Sequence, residues 1–167
     1  FIDGTMINIS NINGEWKIST RSNLSAKCKF YSDKSFSVLF NESSINLNYD
    51  LLDKTCCYTV VLQHPENRIV ANYDKPSYVL VSVRRIIDGV VNDLDLVQVK
   101  SNLKELGQDI IIPDILEFND LNEARTYVNS LPFYEQGLVL KTSKGRSKMR
   151  NPHYDYVKQM RGNTRNM

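Results

Sequence analysis

A chain of 167 residues, 41% apolar and 24% charged, reads as a single globular domain with a sizeable core, which excludes a disordered or fibrous protein. No apolar run approaches the roughly 18 residues of a membrane helix, so a cytoplasmic monomer with no membrane partner is expected. The net charge of +2 hides an asymmetry: residues 141–167 hold eight of the 21 basic residues but only one of the 19 acids, Asp155.

That basic block suits phosphate or nucleic acid, with a solvated tail as the plainer alternative. Cys28, Cys56 and Cys57 form an odd set. The adjacent pair lacks zinc-ligand spacing and would make a strained disulfide, so buried thiols are expected. A start at Phe1 rather than Met leads us to expect an N-terminally truncated chain, with residues 1–167 forming one domain.

In chain order, Met6–Ile9 and Trp16–Thr20 alternate apolar and polar residues around Asn13-Gly14, a hairpin signature. Phe36, Leu39 and Phe40 have helical spacing, and Leu47–Leu52 suggests a second short helix. "CCYTVVLQ" is β-rich, "HPENRIV" predicts a turn into another short strand, and "PSYVLVSVRRII" predicts a central strand. After Gly89 the pattern changes, and Val97, Leu103 and Leu106 fit a helix ending at Gly107. Asp120 and Glu123 are spaced as a capping box for a helix that ends before Pro132. "QGLVLKT" and "RSKMR" predict strands around Lys144-Gly145, and Asn151-Pro152 starts a last helix. Strands joined by hairpins, with helices out of βαβ alternation, indicate an α+β fold of twisted antiparallel sheets flanked by helices.

Neither a P-loop nor a Rossmann glycine motif occurs, and the two histidines, His64 and His153, lie far apart beside prolines. No metal-ligand set is read from the sequence. An ordered series remains: Asp3-Gly4-Thr5, Ser19-Thr20-Arg21-Ser22, "VVLQHPENRIV", "YEQGLVLK" and "SKMRNPHY". Each places a polar or basic group at a strand end, where several ends can converge on one ligand. Arg21, Lys141, Lys148 and Arg150 are candidates for neutralising a triphosphate, with solvent-facing side chains as the bland alternative. Lys148 and Arg150, two apart on a strand, point to one face.

From Phe1 to about Tyr154 this series resembles the bacteriophage-type RNA ligases of the covalent nucleotidyltransferase superfamily. That family's motifs run Lys-x-Asp-Gly, a strand ending Thr-Arg-Gly, Phe-Glu-aliphatic-x-x-Pro-x-Asn-basic-Ile-Val, Glu-Gly-x-Val, and Lys-x-Lys before an aromatic residue. The resemblance implies a ligase adenylation (nucleotidyltransferase, ATP-grasp-like) domain using ATP and Mg²⁺ to join RNA ends through a lysyl-adenylate. It assigns catalytic roles to Lys148 and Arg150 and nucleotide binding to Asp3, Gly4, Arg21, Gln136 and Lys141. Nucleic-acid contacts fall to Lys158 and Arg161, one turn apart on the last helix.

Four family positions are changed, and three of them lose the expected charged group. Phe1 stands where the nucleophilic lysine belongs, Val61 where a glutamate belongs, and Gln136 where the glutamate before Gly137 belongs; Glu135 is displaced to the opposite strand face. Arg150 replaces the second lysine of the last motif. A phenyl ring cannot form a phosphoramide, so the chain as given is expected not to adenylate itself. A non-catalytic RNA- or nucleotide-binding descendant of the ligase fold is the alternative reading, and an unrelated interaction module the third.

Overall fold

Asn13 and Gly14 both take positive φ, 53° and 85°, the geometry of a two-residue hairpin turn that matches strand twist. They join β1 (Thr5–Ile12) to β2 (Glu15–Ser19) in the expected register, with Ile9 opposite Ile18 and Ile12 opposite Glu15. The computed structural model describes residues 1–30, 32–142 and 145–162 of the chain. β1 pairs on its other side with β3 (Cys56–Gln63), which pairs with β4 (Ser77–Ile87). A turn at Asp88-Gly89 then returns the chain as β5 (Val90–Asp93). The sheet is antiparallel, in the order β2-β1-β3-β4-β5.

Period-two alternation sends Ile7, Ile9, Tyr58, Val60 and Leu62 to one face, where they are buried. Leu39 and Phe40 of α1 (Phe36–Ser43) and Leu103 of α2 (Leu96–Glu105) join the same core. A smaller unit follows. α3 (Leu121–Ser130) packs Ala124 and Val128 against Met149 of β7 (Gly145–Arg150), which pairs with β6 (Gly137–Thr142). α4 (Pro152–Arg161) closes the described chain, capped by Asn151, whose side chain accepts from the His153 N–H. The described residues therefore form a mixed α+β fold with a mostly antiparallel sheet and four α-helices. Among the described residues no helix is long and apolar enough to cross a membrane.

Three local expectations differ from the structure. "HPENRIV" does not lead into a strand: His64 caps a 3₁₀ turn over Pro65–Asn67. Beyond it the Val70 and Ala71 N–H groups donate to the Asp3 carboxylate, at 3.0 and 2.7 Å, instead of to a neighbouring strand. Leu47–Leu52 contains only a 3₁₀ turn, Tyr49–Leu51. The expected central strand is β4, an inner strand paired with β3 and β5. The change of pattern after Gly89 begins with a strand, β5, before the helix. The turn residue Lys144 lies outside the described residues.

Candidate nucleotide and RNA surface

The first residues of the chain and the last strand meet although almost the whole sequence separates them. Asp3 is 4% exposed, and its carboxylate accepts four hydrogen bonds: from Val70 N, Ala71 N, Gln136 Nε2 at 3.0 Å and Tyr154 Oη at 2.8 Å. Gln136 also donates to Tyr154 Oη, and the Tyr73 hydroxyl donates to the Asp3 carbonyl. Burial, then the Asp3 charge, pushes the Tyr73 hydroxyl up to about 12 and raises Tyr154 further still. Both phenols therefore remain protonated donors. The Phe1 backbone nitrogen donates to the Gly137 carbonyl, and Asn151 N donates to the Gln136 carbonyl.

Two glycines let the segments of the clasp lie close against their own strand neighbours. Gly4 has φ +142°, and a Cβ there would lie 2.3 Å from the Leu62 carbonyl oxygen. Gly137 has φ +118°, and its Cβ would lie 2.2 Å from the Met149 oxygen. Any side chain at either position would push the joined strands apart.

This clasp explains why position 136 carries an amide. A glutamate there would set a second carboxylate beside Asp3, and two such groups cannot both ionise in a buried site. Gln136 supplies a donor where Asp3 needs one. Val61 is 9% exposed and pairs with Met6 and Val79. It offers no ligand atom.

Above the clasp lies a basic face. Met149 points inward to α3, so Lys148 and Arg150 on either side of it are exposed together. The Lys148 ammonium stands 4.2 Å from the centre of the Phe1 ring, a cation–π contact. Partial burial and the charges of Arg150, Arg146, Lys158 and Arg21 hold Lys148 below the usual lysine range. Arg150 faces Asp155 of α4 at 3.7 Å. Lys158 approaches the Tyr154 ring, and Arg161 is the last residue of α4. Lys141 stands opposite Arg146 near the far end of β6, and the pair acts on Asp93 of β5. Of the residues singled out in the sequence, Arg21, Lys148, Arg150 and Lys158 thus share one electrostatic neighbourhood. Asp3, Gly4 and Gln136 form the buried joint beneath it, and Lys141 lies toward the β4–β5 end.

The sequence reading missed two features. Glu42, His64 and Glu66 place ligand atoms within 4.8 Å of one another, but Lys34 already bridges the carboxylates, at 2.6 Å from Glu66 and 3.0 Å from Glu42. His64 Nδ1 accepts from the Glu66 N–H, so Nε2 carries the proton and donates to Glu42 at 3.0 Å. This is an ion-pair corner, one ammonium between two carboxylates beside a neutral imidazole, assembled from segments with no sequence signal linking them. The second feature is a cleft of about 630 Å³ lined by Phe1, Tyr73, Tyr127, Phe133 and Tyr134, with Arg68, Asp114 and Glu135. The adjacent aromatics after Pro132 were its only legible trace.

The architecture is that of an α+β protein with its polar clasp and basic face on the same side of a small β-hairpin. No protein-family model matches the sequence, and no curated protein matches it.

Proposed function

We propose that this chain is an RNA ligase-like nucleotidyltransferase domain that binds nucleotide and RNA phosphates on its basic face but does not adenylate itself. The observation that carries the reading is the convergence of Phe1–Gly4, Gln136–Gly137 and Lys148–Tyr154, three segments that lie within the motif series whose joint order suggested the resemblance. Asp3 bonded to both Gln136 and Tyr154, with Lys148 over Phe1, brings together the positions that a lysyl-adenylate chemistry requires side by side. Phosphate oxygens would be met by Lys148 and Arg150, whose mutual repulsion an anion relieves.

Gln136 favours this binding without self-adenylation. The amide nitrogen is fixed by Asp3 and Tyr154 and the side chain brings no carboxylate for magnesium, while Asp3 has its carboxylate filled by donors. Magnesium prefers carboxylate, phosphate and water oxygens, and the residues at positions 61 and 136 do not supply a protein site for it. Any magnesium at this face would ride on the nucleotide's own phosphates.

Incubation with radiolabelled ATP and magnesium tests the proposal. The expected result is no acid-labile AMP adduct on the chain, together with RNA binding that weakens steeply with salt. Phe1→Lys alone is expected to remain unlabelled, because positions 61 and 136 stay without carboxylates. An adduct on the unaltered chain would show that another lysine acts as nucleophile, and the ligase would be active. Absence of both adduct and RNA binding would remove the ligase reading altogether.

A further inference from the structure

The aromatic cleft and the basic face share one residue, Phe1, whose ring lines the cleft and carries the Lys148 ammonium over its face. Tyr127, Phe133 and Tyr134 are 37%, 50% and 49% exposed, a large aromatic surface for a protein to leave in water. The Phe133 and Tyr134 rings lie 5.5 Å apart and cross at 80°, so they meet edge to face and keep π surface available to a planar partner. About 630 Å³ is within the range of pockets that hold small organic ligands.

Charge decides which part of a ligand enters. Asp114 and Glu135 line the cleft, and the Arg68 Nε is directed to the Val70 carbonyl at 3.4 Å. A phosphate would meet repulsion inside and attraction outside, at Lys148 and Arg150. A base would meet aromatic rings and carboxylates that accept from its amino groups. We propose that this cleft is a stacking subsite for one unpaired base of a single-stranded RNA, with the adjoining phosphate on Lys148 and Arg150. The inference rests on the RNA-binding function proposed above and adds to it how the RNA is oriented and why it must be single-stranded.

The probe is a 5′-phosphorylated RNA oligonucleotide carrying 2-aminopurine at its first position, titrated into the whole chain. Stacking should quench its fluorescence, and an oligonucleotide abasic at that position should bind about tenfold more weakly. Tyr127→Ala with Phe133→Ala should also lose about tenfold in affinity while leaving the dependence of log K on log salt unchanged, because a base releases no counterions. Phe133→Trp preserves a stacking ring and should keep the quenching, which separates loss of stacking from loss of fold. Equal affinity for abasic and intact RNA, or unquenched fluorescence in bound RNA, would overturn this subsite and leave the basic face standing. No RNA binding at all would overturn both.

Discussion

Lys34 lies between two carboxylates, Glu66 and Glu42, whereas the charges acting on Lys148 are those of Arg150, Arg146, Lys158 and Arg21. The same side chain is pushed in opposite directions: hydrogen bonds to Glu66 and Glu42 raise Lys34, while burial and neighbouring cations lower Lys148. At the first corner the charge is satisfied within the fold and ties α1 to the turn after β3. At the second the folded chain concentrates like charge that the Arg150–Asp155 pair offsets only in part. Local self-repulsion of this kind is relieved by an anion from outside, and that difference separates a structural ion pair from a binding surface.

The largest effect that would break this comparison is loss of the clasp supporting the basic face. Asp3→Ala leaves the Val70 and Ala71 N–H groups, Gln136 and Tyr154 without their shared acceptor. A stability loss of about 3 kcal/mol in chemical denaturation is expected. A change under about 1 kcal/mol would mean that water replaces the carboxylate and the joint is not rigid. Gln136→Glu should cost roughly 2 kcal/mol at neutral pH and less in acid, where the paired carboxyls share a proton. Equal stability of this variant at pH 5 and pH 8 would show that position 136 does not face Asp3 in solution.

A smaller effect concerns binding alone. Lys148→Gln with Arg150→Gln should weaken single-stranded RNA about tenfold near 0.1 M salt and reduce the log–log salt slope by about 1.4. Lys34→Gln should leave both unchanged. If the Lys34 variant loses as much RNA affinity, the two regions are not distinct and the comparison falls.

The smallest effect is in pH dependence, where the two lysines should diverge. Because folding depresses Lys148, its charged form disfavours the fold, and this penalty is relieved as pH rises through the lowered value. RNA affinity should fall over the same interval, below the ordinary lysine range, and Lys148→Arg should abolish that step. Lys34 behaves oppositely: its contribution is present below the ordinary lysine pKa and is lost only as pH rises through the raised one. Its partners Glu66 and Glu42 are held low, first by hydrogen bonds from Lys34, so their contribution is present above the ordinary carboxylate pKa and fades as pH falls through the lowered values. Stability and RNA affinity measured across both intervals would separate the regions.

How much was legible follows from the range of each interaction. Asn13-Gly14 as a hairpin turn, Asp120 as the cap of α3 and Asn151-Pro152 at the start of α4 are set by side chains bonding within a few residues, and the sequence alone determined them. The outward pairing of Lys148 and Arg150 followed from strand alternation for the same reason. Glu123 shows the limit of such reasoning: it reaches back to Asn119 rather than Asp120, one residue from the reciprocal cap its spacing suggested. The end of "HPENRIV" was illegible because its N–H groups are claimed by Asp3, far away in the chain. Asp3 and Gln136 could be read as exposed ligands until the fold buried them against Tyr154, and His64 looked isolated until α1 brought Glu42 beside it. Only tertiary structure could decide these cases, because a polar residue's role depends on whether its partner is protein or water, and the partners here are 18 to 151 residues distant.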